Sequence, residues 1–262
     1  MSLRFNVSEP MAYDPVARHR TIEKMVARGE LRKYYRFRTD RWYGGIVTGD
    51  CVGCGLVCKF CWVRDPVLFF PKKQGHFYAP SEVARKLLTK ARKKGLTQLR
   101  LSGGEPTIGR SHLLRLLDNL RWEGHLFILE TNGILIGSDD SYAQDLAAFP
   151  FLHVRVSIKG CDRNEFTLLT NSKPEGFDLQ LGALEHLCNA GVSCNPAVMT
   201  SFSSPKKLEM LRRRIFSMAP SLMEEFEEEE LILYPHVLDR LNRFRLSYRT
   251  AYRPSDVPPE TV

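Results

Sequence analysis

The chain has 262 residues, of which 43% are hydrophobic and 26% charged, and its formal net charge is +8. That apolar content supports the core of one large domain or two small ones and excludes a disordered chain. Seven cysteines at irregular spacing do not make a small disulfide scaffold, and no apolar run approaches the ~20 residues of a membrane-spanning helix.

The start of the chain lacks a sustained apolar segment, so no signal peptide is expected and the setting is read as a reducing cytoplasm. Residues 1–40 read as a polar, basic extension with one helix near 15–30. Arg28, Arg32, Lys33, Arg36, Arg38 and Arg41 are interleaved with Tyr34, Tyr35, Phe37, Trp42 and Tyr43. Such a pattern suits a solvated basic face or contact with a nucleic acid, and the rings can stack on bases or pack against the fold. Residues 41–236 read as the main domain and 237–262 as a C-terminal extension.

In chain order, residues 43–48 read as the first core strand, with a cysteine loop following its end. Residues 81–94 read as a helix capped by Ser81 and stopped by Gly95. A strand at 97–101 leads into the turn Ser102-Gly103-Gly104-Glu105-Pro106. A helix at 111–120 precedes a strand at 126–130 that ends in Thr131-Asn132-Gly133. A helix near 139–148, a strand at 153–158, a helix at 178–190, a strand at 192–199 and a helix at 205–218 follow. The acidic run 224–230 reads as a solvated or salt-bridged edge, and 231–234 as a sixth strand. The Pro-rich tail reads as ordered only in part. Strand and helix alternate about six times, which implies an α/β fold built on a parallel sheet. The sheet is either partly closed into a barrel or open and doubly wound, with sites at the carboxyl ends of its strands.

The chemistry concentrates in Cys54, Cys58 and Cys61, a C-x3-C-x2-C spacing. Three thiolates can hold an iron–sulfur cluster, but a four-iron cube with four protein ligands needs one thiolate more. Three ligands leave one iron open to a substrate or cofactor. Cys51 makes a fourth cysteine available, so a four-ligand cluster or a structural zinc site is the competing reading. Cys51 is expected at the end of the first strand, beside the ligand set and outside it. Gly103 and Gly104 remove side chains where a ligand approaches the backbone.

With Phe60 before the last cysteine and Ser102–Pro106 after the second strand, the chain resembles the radical S-adenosylmethionine enzymes over residues 43–234. The resemblance implies a partial (β/α)6 TIM-type barrel of parallel strands, a 4Fe–4S cluster on Cys54, Cys58 and Cys61, and S-adenosylmethionine bound at the open iron. It implies reductive cleavage of that cofactor to methionine and a 5′-deoxyadenosyl radical, which removes hydrogen from a substrate. It also implies an external electron donor such as ferredoxin or flavodoxin. Phe60, Gly103, Gly104 and Glu105 are the cofactor-binding candidates in the two motifs. Asn132 suits the sugar or adenine edge, Ser157 the ribose and Lys159 the methionine carboxylate; Asn195 and Met199 are strand residues able to reach the cofactor. Cys161, Cys194 and His236 are the catalytic candidates facing the substrate, and Cys188 reads as core.

Modification of a macromolecule is the expected task. A glycyl-radical-enzyme activating enzyme is one form of it, because Ser157-Ile158-Lys159-Gly160 resembles the lysine-bearing strand end of those enzymes. A tRNA or nucleotide modification enzyme is another, testable by substituting Arg32 and Arg36. A non-enzymatic iron–sulfur redox sensor or scaffold is the third reading.

Overall fold

The structure is a computed structural model and describes residues 12–258. The start of the chain, read above for a signal peptide, and the last four residues of the Pro-rich tail lie outside the described residues.

Helix α1 (Pro15–Val26) leads through a short pairing at Ala27–Arg28 into strand β1 (Leu31–Asp40). β1 pairs antiparallel with β2 (Ile46–Cys51), the first of six parallel strands. Helix α2 (Pro80–Lys94) connects β2 to β3 (Gln98–Gly103), and α3 (Arg110–Leu120) connects β3 to β4 (Leu126–Thr131). Next come β5 (Leu152–Ile158), α4 (Arg163–Thr170), α5 (Glu175–Asn189) and β6 (Ser193–Met199). Helix α6 (Pro205–Met218) precedes β7 (Glu227–Glu229), and α7 (Pro235–Arg243) packs last. The order β1-β2-β3-β4-β5-β6-β7 is sequential, and every step from β2 to β7 is parallel. This is the partial barrel expected from the sequence.

Helix α2 shows why these segments fold as they do. Val83, Ala84, Leu87, Leu88 and Ala91 recur on one face and are buried, and Arg92, Lys93 and Lys94 crowd the last turn, where the helix dipole favours cations. Gly95 ends the helix with φ 65°. Ser81 is not the cap: the helix starts at Pro80, and the Glu82 carboxylate accepts from the Ala79 N–H at 2.8 Å. The first parallel strand also begins three residues later than predicted, because Tyr43 has φ 58° and cannot extend a strand.

The sixth parallel strand is a larger correction. Glu227–Glu229, within the acidic run, pairs with Ala197–Met199 of β6. Residues 231–232 pair instead with Ala251–Tyr252 in a separate two-stranded sheet. Glutamate is a poor strand former, so pattern favoured the apolar segment. The tertiary partner decides the matter: Arg155 of β5 donates to Glu227 at 2.8 Å and to Glu229 at 3.0 Å.

The basic cluster at the start of the chain is partly internal. Arg32 is 1% exposed and donates to the carbonyls of Ile108 at 2.8 Å and Glu105 at 3.2 Å. Lys33 is buried and donates to the carbonyl of Lys72 at 2.8 Å. Arg36 and Arg38 both bond the buried Asp50. Tyr34 packs on Phe37 and is buried. Arg32 is therefore unavailable to a polyanion, and its substitution would report on folding rather than on nucleic-acid binding.

Candidate functional site

Strand alternation sends the apolar side chains of β2 to β6 toward the helices and the polar ones toward the barrel interior. The interior layers are charged. Arg100 donates to Thr48 at 3.0 Å, Glu130 at 2.9 Å and Asp40 at 3.0 Å. Higher up, Ser157 donates to Glu229 at 2.9 Å and accepts from the Lys159 ammonium. Burial raises Glu229, but Arg155 and Lys159 outweigh it and hold the carboxyl below its usual range.

At the carboxyl ends of β2 and β3 the two motifs meet. The Gly104 N–H donates to the Cys51 carbonyl at 2.8 Å, and the Glu105 N–H to the Gly53 carbonyl at 2.7 Å. A Cβ on Gly104 would lie 2.3 Å from the Gly53 oxygen, and Gly103 has φ +88°, so the close approach requires both glycines. Cys54, Cys58 and Cys61 line one cleft together with Gly53, Gly103 and Gly104. The cleft and its mouth enclose ≈ 310 Å³ of space free of protein atoms. Apolar Val67 and Leu68, from the short helix Asp65–Phe69, cover one side.

Cys51 lies outside that set. It ends β2 and is fully buried, and burial pushes its thiol up to about 12. Burial also pushes Cys58 up to about 12, and it raises Cys54 with Glu105 and the neighbouring thiols adding to the effect. Three soft donors around one cleft, Cys58 buried and Cys54 and Cys61 half-buried, suit a cationic iron cluster, whose charge would offset that penalty. The fit is three protein ligands.

The loop is held from three directions. Tyr13 accepts from the Val57 N–H at 3.0 Å and donates to the Thr170 carbonyl at 2.9 Å. From α1, fully buried His19 presses on Gly55, where a Cβ would lie 2.0 Å from the ring. Its Nδ1–H donates to the Pro15 carbonyl at 2.7 Å, which leaves Nε2 to accept from Asn132 Nδ2 at 3.1 Å. Burial lowers this histidine, so the neutral ring persists. From α7, Arg240 has no exposed surface and donates to the carbonyls of Cys61 and, at 2.8 Å, Val63, as well as to Asp65.

The other candidates divide by height in the barrel. Glu105 is 1% exposed, and its carboxylate accepts from Thr107 (both N–H and hydroxyl), the Thr131 hydroxyl and the Asn132 N–H at 2.7–3.0 Å. It braces the turn. Asn132 Nδ2 stands 3.5 Å from Cys54 Sγ, while its Oδ1 accepts from the Ile134 N–H at 3.0 Å. Lys159, one residue past the end of β5, lies 5.9 Å above the Phe60 ring, and its charge favours the Cys58 thiolate, which places it near the cluster loop though not on the cleft lining. Phe60 packs on Phe202. Met199 ends β6 within the core, and Cys161 is buried beside Ser203, which puts neither on the cleft lining.

Asn195 and Cys194 sit near the start of β6, below this level. Asn195 bonds His153, Glu227 and the Glu225 carbonyl. Cys194 faces Cys188. His236 does not follow a barrel strand; it opens α7 and its Nε2–H donates to the Trp62 carbonyl at 2.6 Å. Sequence reasoning passed over His19 and Arg240. The available signal was position: each stands on the apolar stripe of its helix, His19 with Ile22 and Val26, Arg240 with Val237 and Leu241.

A parallel partial barrel gathers three thiols at the carboxyl ends of its strands, an arrangement suited to an iron–sulfur centre at its mouth. The Radical SAM superfamily matches residues 50–213, and the chain belongs to that superfamily. It is 28% identical over 120 residues to a protein of Methanocaldococcus jannaschii named as a glycyl-radical enzyme activating enzyme, covering 45% of this chain and 41% of the relative. It is 27% identical over 165 residues to the GTP 3′,8-cyclase of Mesorhizobium japonicum, covering 61% of this chain and 47% of the relative. The chain therefore spans less than half the length of these curated relatives. Its fold is similar to that of Streptococcus suis SuiB solved with S-adenosylmethionine, with a TM-score of 0.54 to 0.57 across that structure and the one with precursor peptide SuiA. Identity to SuiB is 18–19%, with 66–74% of this chain and 36–44% of that chain covered. No helix among the described residues is long and apolar enough to cross a membrane.

Proposed function

We propose that the chain is a radical S-adenosylmethionine enzyme that binds a 4Fe–4S cluster through Cys54, Cys58 and Cys61 and S-adenosylmethionine beside it. The observation that carries this reading is the single cleft lined by those three thiols and by Gly53, Gly103 and Gly104, with Cys51 turned away. When bound, such a cluster would supply the electron for reductive cleavage of S-adenosylmethionine. The chain's own residues do the rest. Gly103 and Gly104 leave backbone groups open to an ammonium, Lys159 offers a cation to a carboxylate and Ser157 a hydroxyl to the sugar, while the Asn132 amide, engaged by His19 and the Ile134 N–H, holds the end of its strand. Glu105 positions the glycine turn, and Asn132 directs an N–H at Cys54. Val67 and Leu68 exclude water from one wall.

The proposed substrate is a protein or peptide, with electrons from a ferredoxin or flavodoxin. One relative is named as a glycyl-radical enzyme activating enzyme, and SuiB is described with a peptide. The rival tRNA reading loses the side chains of Arg32 and Lys33, which are internal. Anaerobic reconstitution followed by reduction in the presence of S-adenosylmethionine tests the core of the proposal. Wild type is expected to release 5′-deoxyadenosine and Cys58→Ala none. Absence of the product from a protein with a full cluster complement would refute it. Transfer of deuterium from a labelled peptide into that product tests the substrate class.

A further inference from the structure

We propose that Cys188 and Cys194 form a second thiol site, apart from the cluster loop, which a low-molecular-weight disulfide oxidises to an intramolecular disulfide. Cys188 lies in the last turn of α5 and Cys194 is the second residue of β6, joined through residues 189–193. Their sulfurs are 3.9 Å apart. A disulfide requires about 2.05 Å, so closure asks the two sulfurs to approach by about 2 Å, within reach of side-chain rotation and a small shift of the turn. Both cysteines are half-buried, not sealed in the core. They sit at the opposite end of β6 from the cleft: Met199 is five positions along the strand from Cys194, about 16 Å.

The pair is chemically uneven. The hydrogen bond between the two thiols, in which either sulfur can donate, favours the thiolate of Cys188, while the same bond, burial and Glu225 raise Cys194. Cys188 is thus the nucleophile and Cys194 the resolving thiol. The Cys188 thiolate attacks one sulfur of the small disulfide, breaking its S–S bond and expelling one thiolate. Cys194 then gives up its proton and displaces the second thiolate from Cys188. Two protein thiols and one small disulfide become one protein disulfide and two small thiols, and the two electrons leave with the latter.

The test is to treat native, anaerobically reconstituted protein with oxidised glutathione, quench with acid, alkylate and map the thiols by mass spectrometry. No lysine or arginine lies between Lys173 and Lys206, so both cysteines fall on one tryptic peptide. The expected result is a peptide lighter by two hydrogen atoms and resistant to alkylation until reduced. Cys194→Ser is expected to stop at a single glutathione adduct on Cys188. Two alkylatable thiols, two separate adducts, or closure seen only after unfolding in urea would overturn the proposal. Because wild-type mapping alone decides between these outcomes, the proposal stays testable if the variant fails to fold.

Discussion

Arg240 shows how one buried side chain ties the end of the chain to the site. Its guanidinium serves the Cys61 and Val63 carbonyls and the Asp65 carboxylate, three acceptors at fixed angles that a planar fork matches and an ammonium does not. Arg240→Met removes every one of those donors and leaves Asp65, 32% exposed, without this partner. The expected loss is about 3 kcal/mol of stability, at the lower edge for a broken buried pair because Asp65 keeps some solvent. Urea unfolding measures that loss, and iron per chain after gel filtration should fall with it. Arg240→Lys should recover part of both. A methionine variant with wild-type stability and iron content would show that α7 does not hold the loop.

The cysteine triplet and the glycine turn were legible at this same scale, because their chemistry is local in sequence. His19 and Arg240 were not, although each interrupts an apolar stripe. A polar residue on such a stripe marks burial, but its partner lies on a distant element: Asn132 for His19, the cluster loop for Arg240.

Among the elements, β1 and α3 are joined by a titratable contact. His112 donates from Nδ1 to the Glu30 carbonyl at 2.6 Å and accepts at Nε2 from the Tyr34 hydroxyl at 2.9 Å. Burial holds it down at about 4 against an ordinary 6.5. A histidine depressed in the fold is stabilising while both states are neutral, above 6.5. Below that value the unfolded chain takes up the proton first, and stability drains as pH falls toward 4. Between pH 7 and pH 5 the expected loss is about 2 kcal/mol. His112→Asn should flatten that slope, read from urea midpoints at the two pH values. An equal fall in wild type and variant would assign the pH dependence elsewhere.

Elements whose apolar pattern faces helices were predicted to within a few residues, as with β4 and α6. The acidic strand β7 was not, since Glu227 and Glu229 are held in place by Arg155 and Ser157, while Glu228 pairs with Arg212 on the other side. Depth along a strand was equally hidden. Asn195 and Cys194 share β6 with Met199, but lie layers below the cleft.

Across the whole molecule, a charged barrel interior underlies a cleft lined by three thiols, with the N-terminal helix α1 and the C-terminal helix α7 closing on the cysteine loop from either side. The architecture and superfamily follow from the two motifs together with the βα alternation. The substrate does not, because the chain spans less than half the length of the curated relatives it matches, and those relatives are named for different activities. The central claim is that Cys54, Cys58 and Cys61 alone hold the cluster and leave one position for S-adenosylmethionine. Electron paramagnetic resonance of the reduced, reconstituted protein tests it most directly, with S-adenosylmethionine titrated into wild type and Cys51→Ala. Both proteins are predicted to show the cluster signal and the same change on adding S-adenosylmethionine. A spectrum indifferent to S-adenosylmethionine, or a Cys51→Ala protein that folds but holds no cluster, would contradict the claim.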